Sequence, residues 1–217
     1  MKRLFYDNRY FFIPYLLFVI LCTILLILFT KTDLHILSNE ANSPFFDIFF
    51  KYATYFGDGA VIALLSLILL FVKFRYALIF LTGSLATALI VNLFKKVVFH
   101  EMYRPSKYFE LYESYKLHLV EGVKLHSLQS FPSGHTATAF NLFLMIALMV
   151  KNNFLKFIFF ILAALVAYSR VYISQHFLVD ITAGSIIGVM LIVLTWLWFE
   201  KFDKQWLNRS FIRRSGD

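Results

Sequence analysis

The sequence has little charge and almost no cysteine. Only 16% of its 217 residues are charged, whereas 60% are apolar or aromatic. So few polar side chains cannot cover the surface of a water-soluble globule, which excludes an ordinary soluble domain. The single cysteine, Cys22, excludes an intrachain disulfide and leaves the redox compartment open.

What the sequence has instead is a series of long apolar runs. Each is about 15 to 20 residues long and is flanked by Lys, Arg, Trp or Tyr, as expected for helices that cross ~30 Å of hydrocarbon. The first run follows Lys2 and Arg3 but lacks a small-residue cleavage site, so we expect a retained span rather than a signal peptide. The predicted spans lie near residues 11–30, 54–72, 76–94, 136–150, 154–168 and 181–199.

These runs predict one all-α membrane domain over residues 1–217, a bundle of six transmembrane helices. A short additional helix is predicted between the first two spans, because Ser43 is suited to an N-cap and Pro44 to the first helical position. The aromatic stretch 45–50 that follows suits a helix lying along the membrane surface.

The net charge of +8 is explained by topology, so it does not require a nucleic-acid partner. With both termini in the cytoplasm, the inner segments hold most of the basic residues and few of the acidic ones. We therefore expect an integral protein of the cytoplasmic (inner) membrane. The basic residues on the predicted inner side are Lys2, Arg3, Arg9, Lys73, Arg75, Lys151, Lys156, Lys201, Lys204, Arg209, Arg213 and Arg214, and the acidic ones are Asp7, Glu200, Asp203 and Asp217.

Three polar clusters lie at the ends of predicted helices, and the six-span frame places all three on the outer face. They contain two histidines, one carboxylate and several cations. Their members are Lys95, Lys96 and Arg104-Pro105; Pro132-Ser133-Gly134-His135; and Ser169-Arg170, His176 and Asp180.

The second cluster resembles an anion site at a helix N-terminus. Ser133 is in the N-cap position, so the following backbone amides and the helix dipole would attract a phosphate. Gly134 permits close approach of the backbone to an anion, and His135 is suited to give a proton to a departing oxygen. The alternative for this tripeptide alone is an ordinary capped helix.

The third cluster pairs a histidine with a carboxylate. His176 and Asp180 are four residues apart and so share one helix face, where the carboxylate can hold one ring nitrogen protonated and leave the other as a nucleophile. Arg170 offers a planar set of donors suited to phosphate oxygens. The alternative is an interfacial ion pair between Asp180 and Arg170, with His176 as a bystander.

Taken together, the clusters resemble the motifs of the type-two phosphatidic acid phosphatase superfamily: Lys before Arg-Pro, then Pro-Ser-Gly-His, then Ser-Arg with a His six residues later and an Asp four beyond. The resemblance covers about residues 57–188. The first motif departs from the pattern, since the family usually has six residues between Lys and Arg, whereas eight follow Lys95 and seven follow Lys96. We expect Lys95 to be the phosphate ligand, with the extra residues absorbed where the helix turns into the loop. The alternative ligand is Lys96, and whichever lysine is not the ligand would be an interfacial anchor.

The resemblance implies a metal-independent lipid phosphate phosphatase that needs no cofactor. His176, oriented by Asp180, would form a phosphohistidine, and His135 would protonate the leaving group and later activate water. Lys95, Arg104, Ser133, the Gly134 amide and Arg170 would hold the phosphoryl oxygens. The family's substrates imply undecaprenyl pyrophosphate, phosphatidic acid, phosphatidylglycerol phosphate or the phosphates of lipid A, held among membrane lipids with the site facing the periplasm or the outside.

Other functions remain open at this point. A lipid phosphotransferase would use the same phosphohistidine, and a transporter would also place charges at helix ends. The related vanadate haloperoxidases are soluble, which this composition opposes. Of the remaining residues, Asp58 is expected to form a turn, with a supporting role near the site as the alternative. Surface positions are expected for His100, His118 and His126, and close helix packing for Gly184 and Gly188.

Overall fold

The computed structural model describes residues 1–212, and within that range the chain is helical and has no β-strand. Arg213, Arg214 and Asp217, which are predicted to lie on the inner side, fall outside the described residues. The helices are α1 Lys2–Asp7, α2 Arg9–Leu28, α3 Lys31–Glu40, α4 Pro44–Ala53, α5 Gly59–Val72, α6 Phe74–Leu93, α7 Pro105–Tyr112, α8 Gly134–Met149, α9 Asn153–Tyr172 and α10 Leu178–Glu200. Short 3₁₀ turns cover Thr54–Gly57 and Gln205–Asn208, and a π-helical turn covers Phe94–Val98.

Within residues 1–212, four helices are long and apolar enough to cross a membrane: Arg9–Leu28, Phe74–Val98, Asn153–Tyr172 and Leu178–Glu200. A fifth candidate is the pair Pro44–Gly57 and Gly59–Val72, which is bent by 54°. The α8 helix is apolar but shorter. The predicted all-α membrane architecture is therefore confirmed, whereas the count of six spans stays a prediction.

The helix starts follow the local sequence signals. Ser43 accepts a hydrogen bond from the Phe46 N–H and is followed by Pro44, so the predicted helix start at this point is confirmed. Thr30 and Asp33 form a capping box at the start of α3. These bonds satisfy backbone amides that would otherwise lack partners.

Helix α8 lies at the centre of the bundle and packs against α6, α9 and α10. Contact with α10 is close because two glycines leave room for the backbone of α8. A Cβ atom on Gly184 would collide with the Ser133 carbonyl oxygen, and one on Gly188 with that of Ala137. The predicted packing role of both glycines is confirmed, and it brings the start of α8 against the start of α10.

One end of the bundle is covered by two short helices that the sequence reading did not predict. The Lys31 ammonium of α3 lies 3.9 Å from the ring centre of Tyr108 in α7. The ring of His35, also in α3, packs against Phe109 of α7 and against Phe177. These contacts cover the turn between α9 and α10, which carries the third polar cluster.

Candidate active site

The structure brings the three predicted clusters together at this end of the bundle. A cavity of about 320 Å³ has Lys95, Arg104, Gly134, His135 and His176 in its walls. These residues come from the π-helical turn after α6, the residue before α7, the start of α8 and the turn before α10. The helix ends that carry the three motifs therefore all lie at the same end of the bundle.

His176 is held by a carboxylate that is itself firmly placed. Its Nδ1 atom lies 3.3 Å from Oδ2 of Asp180, and only 1% of the residue is exposed. The same oxygen accepts hydrogen bonds from the Phe177 backbone N–H at 2.9 Å and from the Ser130 hydroxyl. With Nδ1 turned to Asp180, Nε2 is the ring nitrogen left to react.

The surroundings of His176 keep its imidazole neutral. Burial lowers its pKa well below the usual value, and the nearby cations Arg104, Lys95 and Arg170 lower it further. A neutral ring has a free lone pair at Nε2 in the physiological pH range. The residue is therefore suited to act as a nucleophile.

His135 has a carboxylate partner outside the predicted motifs. Its Nε2 atom lies 2.7 Å from Oδ1 of Asp58, and about a third of each side chain is exposed. The turn that carries Asp58 fits closely, because a Cβ atom on Gly57 would lie 2.7 Å from the His135 carbonyl oxygen. The available sequence signal was a carboxylate between two glycines at the same end as the motifs.

The two arginines point several donors toward the site. Nη1 of Arg170 donates to Oγ1 of Thr54 at 2.6 Å, while its buried Nε atom has no partner within the described residues. Nη1 of Arg104 donates to Oε1 of Gln175 at 2.8 Å, and its Nε donates to the Leu128 carbonyl at 3.0 Å. These bonds fix two guanidinium groups beside His176, where an anion would accept their remaining N–H groups.

The two candidate lysines differ in position. Lys95 is half-buried in the cavity wall, and its Nζ atom donates to the Gln129 carbonyl at 2.9 Å. Lys96 is exposed. Both lie in the π-helical turn, where the Phe99 N–H reaches back to the Phe94 carbonyl at 2.8 Å. A π-helical turn accommodates one residue more than an α-helical turn, which explains part of the longer spacing to Arg104.

Ser133 and Gly134 begin α8. Ser133 is fully buried, and its hydroxyl oxygen accepts a hydrogen bond from the Thr136 hydroxyl at 2.9 Å. Its backbone N–H donates to the Asp180 carbonyl at 3.0 Å, which ties α8 to α10. Gly134 lies in the cavity wall.

The three histidines that were expected at the surface differ from one another. His100 is exposed, as expected. His118 is only half-exposed and lies 2.8 Å from Asp47 of α4, while His126 lines a second cavity beside the site. In the part of the chain that the structure describes, His, Cys, Asp and Glu form no group of three or more that would hold a metal ion.

A helical membrane bundle in which a carboxylate-bound histidine faces clustered cations has a site suited to phosphate groups. The PAP2 superfamily model matches residues 76–204, which is more than half of the chain. The chain therefore belongs to the PAP2 superfamily.

Similar proteins include membrane phosphatases. A lipid A 4'-phosphatase of Porphyromonas gingivalis is 26% identical over 189 residues, covering 85% of this chain and 79% of the relative. A dihydrosphingosine 1-phosphate phosphatase of Schizosaccharomyces pombe is 28% identical over 90 residues, which is 37% of this chain and 22% of that protein.

Two crystal structures share the fold. That of Aquifex aeolicus LpxE has a TM-score of 0.66 and 26% identity, covering 76% of this chain and 93% of the other. That of a transmembrane PAP2-type phosphatidylglycerolphosphate phosphatase from Bacillus subtilis has a TM-score of 0.63 and 22% identity, covering 88% and 96%. These similarities, with the apolar helices, make the protein an integral membrane protein.

Proposed function

We propose that this protein is a membrane phosphatase that hydrolyses a phosphate ester or pyrophosphate of a lipid through a phosphohistidine. The observation that carries the proposal is the placement of His176. Its imidazole is bound to Asp180 on one side, and it lies in the wall of a cavity that also contains Lys95 and Arg104.

In the first step, Nε2 of His176 attacks phosphorus and forms a P–N bond as the P–O bond to the leaving group breaks. His135 gives its proton to the departing oxygen, and Asp58 holds the His135 ring in place. Lys95, Arg104, Arg170, Ser133 and the Gly134 amide stabilise the charge on the equatorial oxygens.

In the second step, His135 takes a proton from a water molecule that attacks phosphorus. The P–N bond then breaks, His176 is regenerated and inorganic phosphate leaves. Each histidine returns to its starting protonation state, so the catalytic cycle is complete. The Lys and Arg side chains supply the positive charge that stabilises the phosphoryl oxygens. We therefore predict that turnover does not require a divalent metal.

The apolar part of the substrate has a place beside the site. An apolar cavity of about 230 Å³ lies between α5, α6 and α8, with Ile62, Leu81 and Leu85 in its walls. It shares Gly59 and Thr87 with the catalytic cavity. A lipid chain can therefore lie between the helices while its phosphate reaches His176, which supports a lipid over a water-soluble ester.

The proposed topology has six spans, formed by α2, α5, α6, α8, α9 and α10. Helix α5 has 14 residues and α8 has 16, so at 1.5 Å per residue both are shorter than a full hydrocarbon layer and would rely on the adjoining turns. Helix α4 would lie at the interface, because Phe45 is 70% and Ile48 63% exposed. Both termini would be cytoplasmic and the site would face outward from the inner membrane, with residues 1–217 forming one domain.

Among the candidate substrates, lipid A phosphates gain support from the Porphyromonas gingivalis relative, which matches along most of its length. The test is phosphate release by purified protein in detergent, measured on lipid A, phosphatidic acid, phosphatidylglycerol phosphate and undecaprenyl pyrophosphate. We expect release from at least one lipid, insensitivity to EDTA and inhibition by vanadate.

His176→Ala should abolish this release, whereas His100→Ala should not, because His100 is an exposed histidine outside the site. Release that requires added Mg²⁺, or that survives in His176→Ala, would contradict the proposal. Phosphate transfer to an added lipid alcohol in place of release would identify a phosphotransferase.

A further inference from the structure

A second polar cavity, of about 340 Å³, adjoins the catalytic cavity. The two cavities share Asp58, Arg104 and His135 and diverge from there. Whereas the catalytic cavity continues toward the apolar space along α6, this one extends toward the loop between α7 and α8. Its further lining residues include Lys51, Lys124, His126, Arg170 and Gln175.

The charge in this cavity is strongly unbalanced. Arg104, Arg170, Lys51 and Lys124 are cationic, and Asp58 is the one carboxylate in its lining. Among residues 1–212, none of these four cations forms an ion pair with a carboxylate. Such a concentration of uncompensated positive charge raises the local concentration of anions.

Lys51 is partly buried in the cavity wall. Its Nζ atom donates to the Glu121 carbonyl at 2.7 Å and lies where a Cβ atom on Gly122 would be 2.6 Å away. Two Nζ hydrogens remain for another acceptor. The buried Nε atom of Arg170 has no hydrogen-bond partner among the described residues.

His126 reports the same positive field. Burial lowers its pKa, and the cations Arg104 and Lys124 lower it further. An anion bound in the cavity would raise the pKa of His126, because negative charge favours the protonated ring. The protonated ring would in turn offer the anion a further N–H donor.

The phosphate that is cleaved accounts for only some of these cations. Lys95, Arg104 and Arg170 already provide three positive charges for it beside His176. Lys51, Lys124 and His126 lie in the adjoining cavity and are additional to that set.

We propose that this cavity binds a second phosphate of the same substrate, so that the enzyme prefers lipids with two phosphates over those with one. The second phosphate would accept hydrogen bonds from Lys51, Lys124 and His126 while the first is attacked by His176. This inference rests on the proposed function and adds to it a substrate class.

The test compares matched lipids with one and two phosphates in two pairs. The first pair is a prenyl monophosphate and its pyrophosphate, in which the phosphates are directly bonded. The second is a glycolipid monophosphate and its bisphosphate, in which they are separate. The variant is Lys51→Ala/Lys124→Ala, and the matched control is Lys107→Ala/Lys116→Ala, because these two lysines lie in the same outer segment but line a different cavity.

We expect kcat/KM of the variant to fall roughly 10- to 100-fold on the two-phosphate lipid of at least one pair, since two charge-assisted hydrogen bonds are lost. On the one-phosphate partner the loss should stay below about 3-fold, and the control should change neither. The pair that shows the selective loss identifies how the second phosphate is attached.

Equal losses on both members of each pair would overturn the inference, because they would indicate general attraction of anions. No loss in either pair would also overturn it. If the wild-type protein cleaves none of the four lipids, the proposed function fails. Binding of the same lipids by wild type and variant in detergent then decides the inference, which requires a selective loss of affinity for a two-phosphate lipid.

Discussion

The two histidines of the site differ in their surroundings at the scale of single residues. His176 is 1% exposed and bound to Asp180, while His135 is about one-third exposed and bound to Asp58. A buried neutral imidazole suits attack on phosphorus, and a more open one suits exchange of protons with a leaving group and with water. The two carboxylates thus orient rings with different tasks.

Asp58→Asn should lower kcat on a lipid substrate by about 10- to 100-fold, because the amide holds the His135 ring less well. On an aryl phosphate, whose leaving group needs little protonation, the loss in forming the phosphoenzyme should be much smaller. Rapid-mixing assays on the two substrates measure this difference. A purely structural role for Asp58 would slow phosphoenzyme formation equally on both.

The matched control for this change is Asp47→Asn. Asp47 also pairs with a histidine, His118, at 2.8 Å, but the pair lies between α4 and the loop that joins α7 to α8 and not in the catalytic cavity. Asp47→Asn should therefore not change how the rate of phosphoenzyme formation depends on the leaving group.

Most residues of the candidate site could be predicted from the sequence, because each motif is local. Ser133, Gly134 and His135 are consecutive, and His176 and Asp180 are one helical turn apart. Asp58 was not predicted as a site residue, since its contact with His135 joins the starts of two helices that are distant in the chain. His126 was expected at the surface and is exposed, but its place in the lining of a cavity beside the site was not predicted, since its neighbours come from other segments.

Among the secondary-structure elements, helix packing determines whether the site residues come together. The start of α8 is held against α10 by the Ser133 N–H bond to Asp180 and by the close approach at Gly184. The long apolar runs predicted the major helices, but the short helices α3 and α7 were not predicted. Their stability depends on contacts such as Lys31 with Tyr108, which no local pattern reveals.

Gly184→Ala should destabilise the protein by about 1 to 3 kcal/mol, because the new Cβ would collide with the Ser133 carbonyl and push α8 away from α10. Thermal unfolding in detergent, monitored by circular dichroism, measures the effect. Gly59→Ala is the control, since a Cβ there meets nothing within 4 Å. Equal unfolding temperatures for both variants would contradict the packing account.

The buried His35 in α3 predicts a loss of stability in acid. Burial lowers its pKa to about 4, whereas an unfolded chain would take up the proton below about 6.5. Since the unfolded state binds more protons between these values, stability falls as pH decreases through this window. By pH 5 the contribution of His35 should be about 2 kcal/mol less favourable than at pH 7.

His35→Gln can still bond to Ser174, which lies 3.1 Å from the His35 ring, and it cannot be protonated. Unfolding temperatures measured from pH 7 to pH 5 should therefore fall less for this variant than for wild type. His100→Gln, at an exposed position, should behave as wild type. A parallel decline for His35→Gln and wild type would show that His35 is not the group responsible.

The whole molecule combines a lipid-facing apolar bundle with a polar end that carries the site. Hydropathy and charge predicted this arrangement, because a membrane requires apolar spans and favours basic residues in the loops on the cytoplasmic side. They did not predict the bend of 54° between the helices Pro44–Gly57 and Gly59–Val72. That bend places Thr54 and Asp58 beside Arg170 and His135, and it depends on packing rather than on composition.

The proposed topology predicts which positions an impermeant thiol reagent can reach in intact cells. In a Cys22→Ser background, cysteine at Lys124 should be labelled and cysteine at Lys151 should not, because the two exposed positions lie at opposite ends of the bundle. Labelling of both after the cells are opened is the control for reactivity. The reverse pattern would place the site in the cytoplasm.

The central claim is that phosphate passes through a covalent bond to His176. The most direct measurement is mass spectrometry of the His135→Ala variant after rapid reaction with an activated aryl phosphate. Without His135 the phosphoenzyme should still form, because the leaving group of such a substrate needs little protonation. Its hydrolysis should be slow, so acid-labile phosphate should accumulate on His176. Adding His176→Ala should remove it. Phosphate on any other residue, or turnover that persists without His176, would contradict the account.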